Sequence, residues 1–209
     1  MQAATGHWWI RQELDVVPAR MLVALRAALV GKADYLTSVA DRFDRLLLLL
    51  LKFLQVRIDS QSAKYPYLQR IQQGTAAPHE SELQTDLWIF LTGTDYPLAE
   101  RTDVSAGRVD IYIPQPNFRF VIEVKRVSSW SEGALLPLLR QTTAYQQSDI
   151  KLGVLAVLDL SDRPAGVPHM DQCMFLRPRS VSTADIRHAI VIRVPGNRRT
   201  PSDHWSPAT

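Results

Sequence analysis

Apolar residues recur along this chain with two different periods. From Val39 to Phe53 they come at three- and four-residue steps, through Phe43, Leu46 and Leu50. That is the stripe of an amphipathic helix, and it predicts a long helix over Ala33 to Ile58. An apolar segment from Ala19 to Val30, bounded by Pro18 and Gly31, predicts a shorter helix before it. A third helix is expected over His79 to Leu91, between Pro78 and Gly93, with Leu83, Leu87 and Leu91 centring its apolar face. The period then changes. Gly107-Arg-Val-Asp-Ile-Tyr-Ile113 and Phe120-Val-Ile-Glu-Val-Lys125 read as two short strands around a loop at Pro114 to Asn117. A helix from Glu132 to Gln147 follows, with Pro137 early in it as a possible kink or delayed start. Leu152 to Leu160 is a continuous apolar run, expected as a buried central strand, and His188 to Val194 reads as a later strand. The order of helix, strand pair, helix and strand predicts an α/β core with a central mixed sheet flanked by helices. On this reading residues 1–75 form a helical N-terminal segment ending in a linker from Ser60 to Thr75. Residues 76–195 form the core, and 196–209 a mobile tail.

The strand pair carries an anomaly. Asp110, Glu123 and Lys125 stand inside hydrophobic strands, where a charge is costly unless it is paired or binds a metal. Side chains alternate along a strand, so Glu123 and Lys125 share one face, roughly 7 Å apart, while Phe120, Ile122 and Val124 take the other. Asp110 points away from Val109, Ile111 and Ile113. Pairing of the two strands would bring all three charges together. Two carboxylates can hold a divalent cation, and an amine beside its bound water completes the equipment for metal-assisted hydrolysis of a phosphodiester. A simple ion pair between Glu123 and Lys125 leaves Asp110 unexplained.

Asp110 and Glu123-Val124-Lys125 resemble the PD-(D/E)XK nuclease superfamily, with Val109 where the name has proline. The resemblance spans about Pro78 to Val194 and implies a restriction-endonuclease-like core. It implies Asp110, Glu123 and the Val124 carbonyl as ligands of Mg2+, with Mn2+ as a substitute, and Lys125 as the residue that orients or deprotonates water. Members often carry a further metal-binding glutamate in the preceding helix. Glu80 lies on the apolar face set by Leu83, Leu87 and Leu91, while Glu82 points almost the opposite way, so Glu80 is the choice. In the following helix Gln141 and Tyr145 are four residues apart and share a face. They resemble the Gln-x-x-x-Tyr signature of RecB-like members. That likeness places Gln141 near Lys125 and Tyr145 on the substrate backbone. Arg101 and Arg108 are expected to engage the same backbone, with Arg163 and Arg198-Arg199 as weaker candidates. The implied enzyme is a Mg2+-dependent deoxyribonuclease, expected as an endonuclease. The alternative is a non-cleaving nucleic-acid-binding or partner-docking subunit of the same fold.

Composition narrows the picture further. The 209 residues carry a formal net charge of only +3, which permits a nucleic-acid partner without demanding one. The single cysteine, Cys173, excludes an intrachain disulfide and suits a reducing cytoplasm. Six leucines in a row, Leu46 to Leu51, fall far short of the roughly 20 residues needed to cross a bilayer. No Walker A loop appears. The long helix stripe needs another surface, either the core or a second copy or protein partner, and Trp8-Trp9 are expected to help anchor it.

Overall fold

The computed structural model describes residues 14–32, 34–60, 64–94, 110–144, 150–164, 166–183 and 185–199. Two helices come first, α1 (Val16–Leu29) and α2 (Thr37–Asp59), then α3 (Glu80–Thr92). The hairpin strands β1 (Ile111–Pro114) and β2 (Arg119–Val127) follow, then α4 (Glu132–Ala144) and β3 (Leu152–Asp159). The chain closes with β4 (Met174–Ser180) and β5 (Ile186–Pro195). The strands form one mixed sheet in the order β1-β2-β3-β5-β4. The three central strands, β2, β3 and β5, run parallel, and β1 and β4 pair antiparallel at the edges.

Alternation along the strands builds two layers. Ile111, Phe120, Ile122, Val154, Ile190 and Ile192 share one core with the buried faces of α1, α2 and α3. Val127, Leu155, Val157 and Val191 pack on the other side with Leu135 and Leu139 of α4. β3 is buried along its whole length because it lies between parallel neighbours and under both layers. In α2 the expected stripe holds: Phe43, Leu46, Leu50 and Phe53 are fully buried. Among the described residues no helix is long and apolar enough to cross a membrane.

Several sequence expectations change. α1 begins two residues before Pro18, which sits in the first turn, where its missing N–H would have no intrahelical partner. Pro137 does not delay α4, which starts at Glu132 with the proline inside. The segment read as a linker holds a 3-10 turn at Pro66–Leu68, with Tyr67 and Leu68 buried. The start of the segment read as mobile is packed as well: Asn197 accepts the Ile71 N–H at 3.0 Å, and Arg198 N–H bonds the Leu68 carbonyl at 3.1 Å. β4 is a strand that the pattern did not announce, because Arg177-Pro178-Arg179 breaks the alternation. As an edge strand it can carry a proline.

The turn at Tyr67 belongs to a buried polar brace between α2 and α3. Arg57 grips Asp86 with two hydrogen bonds of 2.6 and 2.7 Å, and the Tyr67 hydroxyl donates to the same carboxylate. The guanidinium also lies 4.3 Å over the Tyr65 ring and 4.4 Å over Phe53. Asp86→Ala is therefore expected to destabilise the fold by about 3–5 kcal/mol, because it strands a buried cation. Urea unfolding measures this, and a loss below about 1 kcal/mol would show the brace to be a surface pair.

Candidate active site

The register Ile111↔Ile122 sets Asp110 opposite Glu123, one step past the last ladder pair. There the Asp110 carboxylate turns back and accepts the Val124 N–H at 2.7 Å. Lys125 reaches the same place from the next inward position on β2. Its Nζ stands 2.6 Å from Glu123 Oε1, 3.4 Å from Asp110 Oδ2 and 4.0 Å from Glu80 Oε1. Three acids singled out in the sequence, Glu80, Asp110 and Glu123, thus converge on one ammonium. Val124 turns its side chain into the opposite core, so only its backbone belongs to this site.

α3 is held against the hairpin by two bonds that the sequence does not announce. Gln84 donates Nε2 to the Asp110 carbonyl at 2.7 Å. Arg126 donates Nη1 to the Pro78 carbonyl at 2.7 Å, just before the helix begins. Leu83, Leu87 and Leu91 are buried, which fixes the helix phase and turns Glu80 toward Lys125. Glu82 is exposed, and its side chain accepts the His79 N–H at 3.1 Å as half of a capping box. The two glutamates have separate jobs.

Electrostatics make the cluster unusual. Three carboxylates face one ammonium, which leaves two formal negative charges. Glu123 is fully buried, and neither of its oxygens accepts a well-directed hydrogen bond despite the close ammonium. Burial pushes its pKa up to about 7; Lys125 opposes this, and Asp110 and Glu80 add to it. Burial alone would lower Lys125, but the charges of Glu123, Asp110 and Glu80 outweigh that and hold it above its ordinary value. A cluster of three acids against one amine, with Glu123 Oε2 left without a partner among the described residues, suits a hard divalent cation. As the side chains stand, no three acid, imidazole or thiol groups among the described residues close around such an ion. The Lys125 ammonium stands among the three acids instead.

Other expected site residues fall elsewhere. Gln141 is exposed on α4 and is not among the partners of Lys125. The face that α4 buries is Leu135, Leu139 and Thr142, whose hydroxyl bonds the Leu138 carbonyl at 3.0 Å. The four-residue spacing to Tyr145 gave a shared face without saying which one. Tyr145, Arg101 and Arg108 lie outside the described residues. Arg163 turns inward to the Asp159 and Gly196 carbonyls, Arg198 is buried, and Arg199 pairs with Asp162. Comparison with family models, with curated proteins and with solved structures finds no match.

Proposed function

We propose that this chain is a Mg2+-dependent nuclease with a restriction-endonuclease-like core that hydrolyses phosphodiester bonds in DNA. The observation that carries the reading is the convergence of Glu80, Asp110 and Glu123 on Lys125, with Glu123 fully buried. Packing gives no reason to gather three acids around one amine at a strand end. The order α3, β1, β2, α4 and β3 is also the order expected of that core. Asp110, Glu123 and the Val124 carbonyl would hold the cation, with Glu80 contributing directly or through water. A bound cation would lower the pKa of a coordinated water and polarise the scissile phosphate. Lys125 would donate to that water or to a phosphate oxygen, and its charge would offset the negative charge that builds up at phosphorus. Tyr145, Arg101 and Arg108 remain the proposed contacts to backbone phosphates. A magnesium or manganese assay on linear, circular, single-stranded and branched DNA tests the reading, and inactivity on all of them would overturn it.

One observation favours a second reading. The 2.6 Å approach of Lys125 to Glu123 is that of a closed internal ion pair. In a non-cleaving nucleic-acid-binding or partner-docking subunit the cluster would simply brace the hairpin. Calorimetric titration with Mn2+ separates the two, since a brace binds no cation.

The glutamates of α3 give a paired expectation. Glu80→Gln should reduce turnover by well over about tenfold, because it disturbs a ligand network. Glu82→Gln should leave turnover near normal, because the amide oxygen can still cap the helix and an exposed charge contributes at most about 1 kcal/mol. Side-by-side rates at limiting magnesium decide it, and the reverse order would move the third acid to Glu82.

A further inference from the structure

Charges at the carboxyl ends of β3 and β5 do not balance. Asp159 is fully buried and takes Arg193 Nε and Nη2, each at 2.7 Å from Oδ2. Arg163 Nη2 approaches the same oxygen at 3.4 Å. That nitrogen also donates to the Asp159 and Gly196 carbonyls at 2.8 and 2.9 Å, closing off the ends of two parallel strands. Arg198 is 6% exposed and donates Nε to the Pro195 carbonyl at 2.7 Å. Arg193 and Arg163 share that carboxylate, and Arg198 adds a third guanidinium at the Pro195 carbonyl, so among the described residues there is an excess of two positive charges (three minus one). The adjacent Arg199–Asp162 pair is already neutral.

Donors are left over too. Arg163 Nε and Nη1 and Arg198 Nη2 are buried with no hydrogen-bond partner among the described residues. Burial pushes the Arg198 pKa down to about 10 and lowers that of Arg163, yet both stay charged at neutral pH. Water satisfies donors but does not offset charge. Buried cations with unmade hydrogen bonds call for an anion.

We infer that Arg163 and Arg198 form a binding site for a phosphate group, with Asp159 and Arg193 fixing the surrounding frame. A phosphate dianion matches the excess charge, and its oxygens accept from guanidinium forks in planar geometry. The place fits as well, since α/β sheets receive ligands outside the carboxyl ends of their parallel strands. This site is built on β3 and β5, apart from the acids on the β1–β2 hairpin, and stands whether or not those acids support catalysis. The same chemistry serves a free phosphate and a phosphate of a polynucleotide backbone.

Calorimetric titration of the full chain with inorganic phosphate tests the inference, with sodium chloride at equal ionic strength as control. A dissociation constant of about 1 mM or tighter is expected, with a matching rise in melting temperature. Arg163→Gln and Arg198→Gln should weaken phosphate by roughly tenfold or more, and Arg199→Gln should not. A short 5′-phosphorylated oligonucleotide that displaces phosphate assigns the polynucleotide as the source; failure to displace it assigns a free phosphate. Absence of binding to the wild-type chain overturns the inference, as does an equal response in Arg163→Gln. If the variants do not fold, phosphorus-31 line broadening with the wild-type chain still decides.

Discussion

Lys125→Met is expected to abolish DNA cleavage while leaving the fold almost undisturbed near pH 6. Among the described residues Lys125 is the only ammonium within 4.0 Å of Glu80, Asp110 and Glu123, so on the proposed function the group that would act on water or on a phosphate oxygen disappears with it. Groups of that kind contribute about 10²–10⁴ in rate. Removing the partner of a buried acid usually costs several kcal/mol, but here protonation limits the cost. Glu123 already titrates near 7, and without the lysine its pKa rises further, so it takes up a proton instead of remaining an unpaired charge. Below pH 7 the variant should melt within about 1 kcal/mol of wild type. Above pH 8 it should fall behind by up to about 1.4 kcal/mol per pH unit. Single-turnover cleavage at saturating magnesium and melts across that pH range measure both halves. Wild-type cleavage in the variant would remove Lys125 from the chemistry, and parallel melting curves would remove Glu123 as its partner.

Glu123→Gln should have the opposite effect on stability and the same effect on activity. The folded pKa of about 7 lies above the ordinary carboxyl value of 4.5, so the native state binds this proton more tightly than the unfolded chain does. Stability from this group is therefore greatest below pH 4.5 and is lost as pH rises through 7. At 1.36 kcal/mol per unit the loss comes to about 3 kcal/mol. Glutamine keeps the shape and has no charge to desolvate, so at pH 8 and without metal the variant should be the more stable protein by about that amount. At pH 4.5 the two should converge. Magnesium should stabilise the wild-type chain and leave the variant unchanged. Urea unfolding at both pH values, with and without magnesium, gives the comparison. A variant less stable than wild type at pH 8 would mean that the ion pair with Lys125 outweighs burial.

The parts of the site that were legible in the sequence rest on a strict period. Alternation places Glu123 and Lys125 on one face and turns Asp110 away from Ile111 and Ile113, and the hairpin register then brings the three together. Leu83, Leu87 and Leu91 set the phase that separates Glu80 from Glu82. The unbroken apolar run from Leu152 likewise marks a strand covered on both sides. What was missed lacks such a period. Gln141 sits about 100° from the inward Thr142, and a single helix turn of polar residues does not say which of them faces the sheet. Gln84 and Arg126 act on backbone carbonyls brought near by tertiary folding, for which no local pattern exists. Arg163 and Arg198 stand among turn formers and read as solvent-facing, yet both close off strand-end carbonyls inside the protein.

The two edges of the sheet share a property. β1 ends in Pro114, and β4 carries Pro178 between two arginines. A bare strand edge is a template on which another chain can add a strand, and from there aggregates grow. Proline has no amide proton to offer, and clustered positive charge repels an identical edge. Among the described residues, both rims of this sheet are thus poor seeds for stacking one molecule onto the next. An interior rich in β-branched residues can then stay harmless at high concentration.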